Sequence, residues 1–269
     1  MILWLASYPK SGNTWIRLLL ANYLYPETNN IFENLIKIPR FPNIKQFSGI
    51  VNLDNLDHRT EIIKYFIDAQ DKINLNNETN IIKTHNCGCA INDYEFTNDQ
   101  NTCGFIYIVR DPRSVAVSYA HHTKISLEKS VNNIISEKYI GINDEKLVEF
   151  RSSWRINYLS WIKAPYPKLI IKYEDMLNDT VGSFKKILEF VNKFKRIEIN
   201  MEKIKKTVEL CQFNNLKSQE NKFGFKEDTF KVGFFRKGIE DEWKTKLNDE
   251  QAKKIELFFN KEMKELKYI

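Results

Sequence analysis

The chain has only four cysteines in 269 residues: Cys87, Cys89, Cys103 and Cys211. A chain of this length buries enough apolar surface to fold without disulfide staples, so a disulfide framework is not expected. A basic leader is missing too. The apolar run 2–6 follows Met1 directly and leads straight into a tight loop, which argues against a secretory signal. The longest apolar stretch, 15–24, is broken by Arg17 and Asn22 and is too short to span a bilayer. There is no block of like charge, no basic tail, no low-complexity linker and no internal repeat. The net charge of +6 is modest. Without a basic block it does not single out nucleic acid, and a polyanionic small ligand is an equally good partner. The expectation is a soluble, cytoplasmic protein with no membrane insertion and no nucleic-acid partner.

An apolar content of 42% and an aromatic content of 13% are enough for a well-packed core. Short β-rich runs lie at 2–7, 80–84, 105–109 and 169–173. Helical patterns lie at 14–25, 60–70, 113–121, 148–162, 181–193, 201–212 and 249–266. The last begins at Asn248 with Gln251 three residues on, the spacing of a capping box. Strands separated by helices predict a single α/β domain, residues 1–269, with a central parallel sheet flanked by helices. Ligands bind such sheets at the carboxyl ends of the strands, where the first three runs lead into Lys10, His85 and Arg110. Segments 29–49 and 216–233 read as irregular loops and are candidates for covering a substrate.

The first strand runs into Tyr8-Pro9-Lys10-Ser11-Gly12-Asn13-Thr14-Trp15 and then an amphipathic helix. Backbone N–H groups at that helix start favour an anion, and Lys10 adds charge beside them. The loop is not the common ATP-binding G-x-x-x-x-G-K-[ST], because it has one glycine and its lysine comes first. A second anion site follows the third strand. Ser118 lies about two helical turns beyond Arg110, so both side chains can reach one phosphate; an Arg–Asp ion pair capping the helix is the competing reading. A third candidate is Arg236-Lys237-Gly238, which alone reads as a solvated turn. His85, after Lys83-Thr84, suits proton transfer near neutral pH. It is also compatible with a structural histidine, or with a metal site shared with Cys87, Cys89 and Cys103, although Cys-x-Cys departs from the usual zinc spacing. Trp154 and Trp161, seven apart, read as helix core.

Taken in order, these motifs resemble the PAPS-dependent sulfotransferases, of the cytosolic type and a bacterial-like branch. The resemblance implies a P-loop-like domain. It also implies transfer of a sulfuryl group from 3′-phosphoadenosine 5′-phosphosulfate (PAPS) to a hydroxyl of a small-molecule acceptor, leaving PAP and needing no metal. Carried over by position, Lys10, Ser11, Gly12, Asn13, Thr14 and Trp15 hold the 5′ end. Arg110, Ser118, Arg236, Lys237 and Gly238 hold the 3′-phosphate. Tyr173, in Tyr-Glu-Asp-Met, lies near the adenine, and Phe213 sandwiches it with Trp15. His85 is the general base, Lys10 stabilises the leaving group and Lys83 assists. The chain departs from the family at Asn13 (commonly Thr), at Cys211-Gln212 (commonly hydroxyl residues) and at Asp241-Glu242 (commonly Gly-Asp). Asn248, Asp249 and Lys253 replace the animal dimer segment, so monomer and homodimer both stay open. An ATP-using kinase and a non-catalytic nucleotide binder are the alternatives. The acceptor is expected among segments 29–70, 86–101, 123–144 and 216–233, with Phe41, Phe47, Tyr94, Phe223 and Phe225 as candidate lining and core or surface roles as equal alternatives.

Overall fold

Five parallel strands form the spine of the computed structural model, in the order β2–β3–β1–β4–β7. They are β1 (Ile2–Ser7), β2 (Arg40–Phe41), β3 (Asn80–Thr84), β4 (Thr102–Val109) and β7 (Lys168–Lys172). A separate antiparallel hairpin joins β5 (Ile140–Ile142) to β6 (Val148–Phe150). The structure describes residues 1–28, 30–143, 145–228, 230–235, 238 and 240–269. The two anion motifs among them leave adjacent strands, β1 and β4. The chain departs from β1 first to one side and then to the other, so the carboxyl ends of these two strands form the topological switch point.

Because β1 is central, both of its faces are covered, and its side chains alternate between two cores. Ile2, Trp4 and Ala6 pack with Phe66, Phe105, Trp154 and Trp161 on one side. Leu3 and Leu5 pack on the other with Ile16, Leu19, Phe184 and Ile204. Trp154 and Trp161 are fully buried, as their spacing predicts. The capping box at Asn248 and Gln251 is present.

Several segments differ from the sequence reading, among them 29–49, expected as a loop, which carries the 3₁₀ turn Glu33–Lys37, β2 and the helix Ile44–Phe47. The pattern at 148–162 is not one helix. It opens as β6 and becomes the helix Trp154–Ile162 only after Ser153 accepts a bond from the Ile156 N–H and caps it. Residues 60–70 divide into a 3₁₀ turn, Arg59–Tyr65, and the helix Phe66–Asn74. The last helix breaks at Phe259 into Asp249–Phe258 and Asn260–Glu265. Much of 216–233 is helical: Phe213–Phe223 runs on to Gly224, whose φ of +70° ends it.

Trp161 braces the turn after β3. Its ring meets Trp4, Phe96 and Phe105, and its Nε1–H donates to the Asn86 carbonyl at 2.9 Å. Trp161→Ala is expected to lower the unfolding free energy by about 3–5 kcal/mol. Urea denaturation checks this, and an unchanged midpoint would contradict the assignment.

Candidate active site

One cavity of about 540 Å³ opens at the carboxyl ends of β1, β3 and β4. Lys10, Gly12, Asn13, Thr14, Trp15, Lys83, His85, Arg110, Ser118, Tyr173, Phe213 and Gly238 all line it. Ser11 is buried in the same loop. Arg236 and Lys237 lie outside the described residues.

The loop after β1 has a cradle's geometry. Lys10 (φ +66°) and Gly12 (φ +101°) both turn left-handed, and Gly12 precedes the helix Asn13–Leu24. A Cβ on Gly12 would stand 2.6 Å from the Tyr173 ring, so only glycine fits. The Ser11 hydroxyl is buried without a hydrogen-bond partner among the described residues, an unspent donor at a helix start. That orphaned group and the glycine turn fit an anionic ligand. The Asn13 amide, by contrast, is spent on the strand, donating to Leu5 O at 2.9 Å and Ser7 Oγ at 3.2 Å. It braces the loop and leaves only the backbone N–H for an anion.

At the other end, Arg110 donates to the Lys10 carbonyl at 3.1 Å and lies over the Tyr173 ring at 4.2 Å. Asp111 does cap the following helix, but its ion pair, at 2.7 Å, is with Arg113 rather than Arg110. Tyr173 meets Trp15 edge-on with ring centroids 6.0 Å apart. Trp15 Nε1 donates to the Cys211 carbonyl at 3.0 Å, which ties the loop's helix to the start of Phe213–Phe223. A Cβ on Gly238 (φ +61°) would stand 2.4 Å from the Phe213 ring. Trp15, Tyr173 and Phe213 thus surround one aromatic compartment of the cavity.

A sulfotransferase domain model matches residues 2–267. The chain belongs to the sulfotransferase family. Flavonol 3-sulfotransferase of Flaveria bidentis is 28% identical over 96% of this chain and 80% of its own length. Cytosolic sulfotransferase 3 of Arabidopsis thaliana is 26% identical over 97% of the chain and 76% of its own. The crystal structure of mouse sulfotransferase SULT7A1 complexed with PAP superposes with a TM-score of 0.63 at 22% identity, covering 97% of this chain and 84% of that one. The α/β, P-loop-like architecture expected from the motifs is therefore the family's fold. Among the described residues, no helix is long and apolar enough to cross a membrane. No group of three or more His, Cys, Asp and Glu side chains there is placed to hold a metal ion.

In this sulfotransferase His85 is held in one tautomer. Its Nδ1 lies 2.8 Å from the Ser7 carbonyl, which can only accept, and 3.2 Å from Ser7 Oγ, which can accept or donate; the nearer carbonyl favours the hydrogen on Nδ1 and the lone pair on Nε2. Nε2 has no protein partner among the described residues. Burial, then the charges on Lys83 and Arg151, push the imidazole pKa well below its usual value, so the ring is neutral. Burial, then Arg110 and Lys83, bring Lys10 down to about 7. Lys10 Nζ sits 4.1 Å over the Phe234 ring. Burial brings Lys83 down to about 8 against the pull of Glu227.

Glu227 is a residue that sequence reasoning missed. Its carboxylate meets Arg17 at 2.6 Å, Arg40 at 3.6 Å and Lys83 at 3.9 Å, and accepts from Thr14 Oγ1 at 3.5 Å. Burial alone would raise its pKa, but Arg17, Lys83 and Arg40 together hold it well below the usual carboxylate range. The one sequence signal was Arg17 inside an apolar helix, a cation in need of a partner. The expected aromatic lining also needs correction. Phe41 and Phe47 are fully buried core, Tyr94 and Phe223 are exposed, and Phe225 packs on Phe32, Phe234 and Phe235. Segment 86–101 contributes nothing to the cavity among the described residues. His122 lines it, while His121 is exposed.

Both buried histidines bind protons less well than the unfolded chain does. Burial, then Lys10 and Lys83, take His122 down to about 3. Below about pH 6.5 the unfolded state therefore takes up more protons, and stability falls as pH drops. His122→Phe, set between Phe230 and Phe234, is expected to flatten the decline between about pH 6.5 and pH 5. Urea midpoints across that window test this, and an equally steep decline in the variant would refute it.

Proposed function

We propose that residues 1–269 act as one sulfotransferase domain. It moves a sulfuryl group from PAPS to a hydroxyl of a small-molecule acceptor and releases PAP. The observation that carries this reading is the neutral His85 in the same cavity as Lys10 and the glycine turn of the loop after β1, which also buries the unspent Ser11 hydroxyl. The donor, when bound, supplies a sulfuryl group already activated by its phosphate leaving group.

The chain's own residues have distinct tasks. His85 Nε2 accepts the acceptor's hydroxyl proton as the new O–S bond forms; a fixed ring and an uncharged nitrogen suit it to that role. Lys10, whose charge is costly in the empty site, is favoured most where negative charge grows on the departing oxygen. Lys83 is kept beside the carboxylate of Glu227 and assists with the same charge. Ser11, Thr14 and the backbone N–H groups of Gly12 and Asn13 hold the 5′ end, while Arg110, Ser118 and Gly238 hold the 3′-phosphate. Arg236 and Lys237 belong to that second set on sequence alone. Trp15, Phe213 and Tyr173 take the adenine. An ATP-using kinase is not favoured, since the sulfotransferase domain match spans the chain. A cytoplasmic location follows the relative named as cytosolic.

His85→Asn is expected to reduce kcat by about 10²–10⁴-fold while leaving the thermal shift with adenosine 3′,5′-bisphosphate intact. Full turnover by the variant would remove His85 from the mechanism. Because burial brings Lys10 down to about 7 and Lys83 down to about 8, bisphosphate binding near neutral pH should take up protons as both become fully charged. Calorimetry in buffers of different ionisation enthalpy reads that uptake, and Lys10→Met should diminish it. Binding with no proton uptake would place neither lysine at the phosphates.

A further inference from the structure

Beyond His85, the cavity wall carries charge where an apolar acceptor would need carbon. Glu149 and Arg151 line it, 3% and 8% exposed, and are joined at 2.5 and 2.9 Å through one carboxylate oxygen, Oε2. Arg151 also donates to the Tyr119 hydroxyl at 3.0 Å, and that hydroxyl is 2.6 Å from the hydroxyl of Tyr139. A guanidinium has five N–H donors, and Arg151 commits three to these partners. Glu149 Oε1 accepts from no described residue, yet it is not among the sealed atoms without a partner. The wall therefore keeps both donor and acceptor capacity.

It is also rigid. Gly141 of β5 pairs with Glu149 of β6, and a Cβ on Gly141 would stand 2.2 Å from Arg151 Cζ. The strand backbone thus lies flat on the guanidinium and fixes its plane. These groups cannot turn away from whatever fills the space. An apolar acceptor would strip their water and return no hydrogen bonds, whereas a ligand with several hydroxyls would replace that water group for group. Phe230, which also lines the cavity and is exposed, offers an apolar ring for the C–H side of a sugar.

We propose that the acceptor is a polyhydroxylated ring compound of the sugar or cyclitol type, bound by Glu149, Arg151 and Tyr139. This rests on the sulfotransferase reading of the same cavity. The test supplies the purified protein with PAPS and matched concentrations of methyl glycosides, myo-inositol, 4-nitrophenol and a flavonol. PAP release and the mass of the sulfated product are measured. The expected kcat/KM for the best polyol exceeds that for either phenolic compound by about tenfold or more. Tyr139→Phe is expected to raise the polyol KM several-fold more than that of 4-nitrophenol. It leaves the Glu149–Arg151 pair intact, unlike Glu149→Gln, which is the stronger but riskier variant. Preference for the phenolic compounds, or no sulfated polyol at all, overturns the proposal. If adenosine 3′,5′-bisphosphate still gives its thermal shift, only the acceptor class is wrong. If that shift is absent as well, the sulfotransferase reading falls with it.

Discussion

The bond between His85 Nδ1 and the Ser7 carbonyl joins the carboxyl ends of two neighbouring parallel strands. Ser7 ends β1, just before the glycine turn, and His85 follows β3, so one contact fixes the distance between the loop after β1 and the His85 imidazole. Parallel pairing makes it possible. With Ala6 opposite Thr84, the next residues of both strands leave the sheet side by side. The contact also selects the tautomer, so the sheet's register becomes a statement about which ring nitrogen is free. Other residues hold the same turn from outside. The Asn157 amide donates to the His85 carbonyl at 2.9 Å, and Asn86 accepts from the Phe150 N–H at 2.8 Å.

The fold was legible where one periodicity held over a whole element. β1, β3 and the helix Asn13–Leu24 fall within a residue of where their patterns predict. It was not legible where a cap overrode the pattern. At 148–162 the apolar spacing continues across Ser153, and only the cap separates strand from helix. The site divides similarly. Lys10, Lys83, His85 and Arg110 stand at strand ends, where chain order already implies convergence. Glu149, Arg151 and Glu227 reach the cavity from a hairpin and from the segment after Gly224, and nothing local in the sequence says which way those segments fold. Asn13 shows a third kind of difference: the residue lines the cavity, but its amide turns toward the strand, to the Leu5 carbonyl and the Ser7 hydroxyl.

The cavity's two ends differ in how they manage charge. At the nucleotide end, burial destabilises cations that a bound anion would stabilise, so Lys10 is poised between charged and neutral. At the acceptor end, Arg151 is matched by Glu149 within the protein. One end is built to be completed by a ligand's charge, and the other already balances its own.

Glu227 adds a constraint on what can bind. Its carboxylate sits among Arg17, Arg40 and Lys83, so the cleft is in part an internal salt. A simple anion there meets one group of like sign, which offsets part of the attraction of the three cations. A ligand that also brings a flat base, for the compartment of Trp15, Tyr173 and Phe213, has a source of affinity that the carboxylate does not oppose. One carboxylate among three cations thus lowers what charge alone contributes, and gives a ligand that carries a base an advantage over one that does not.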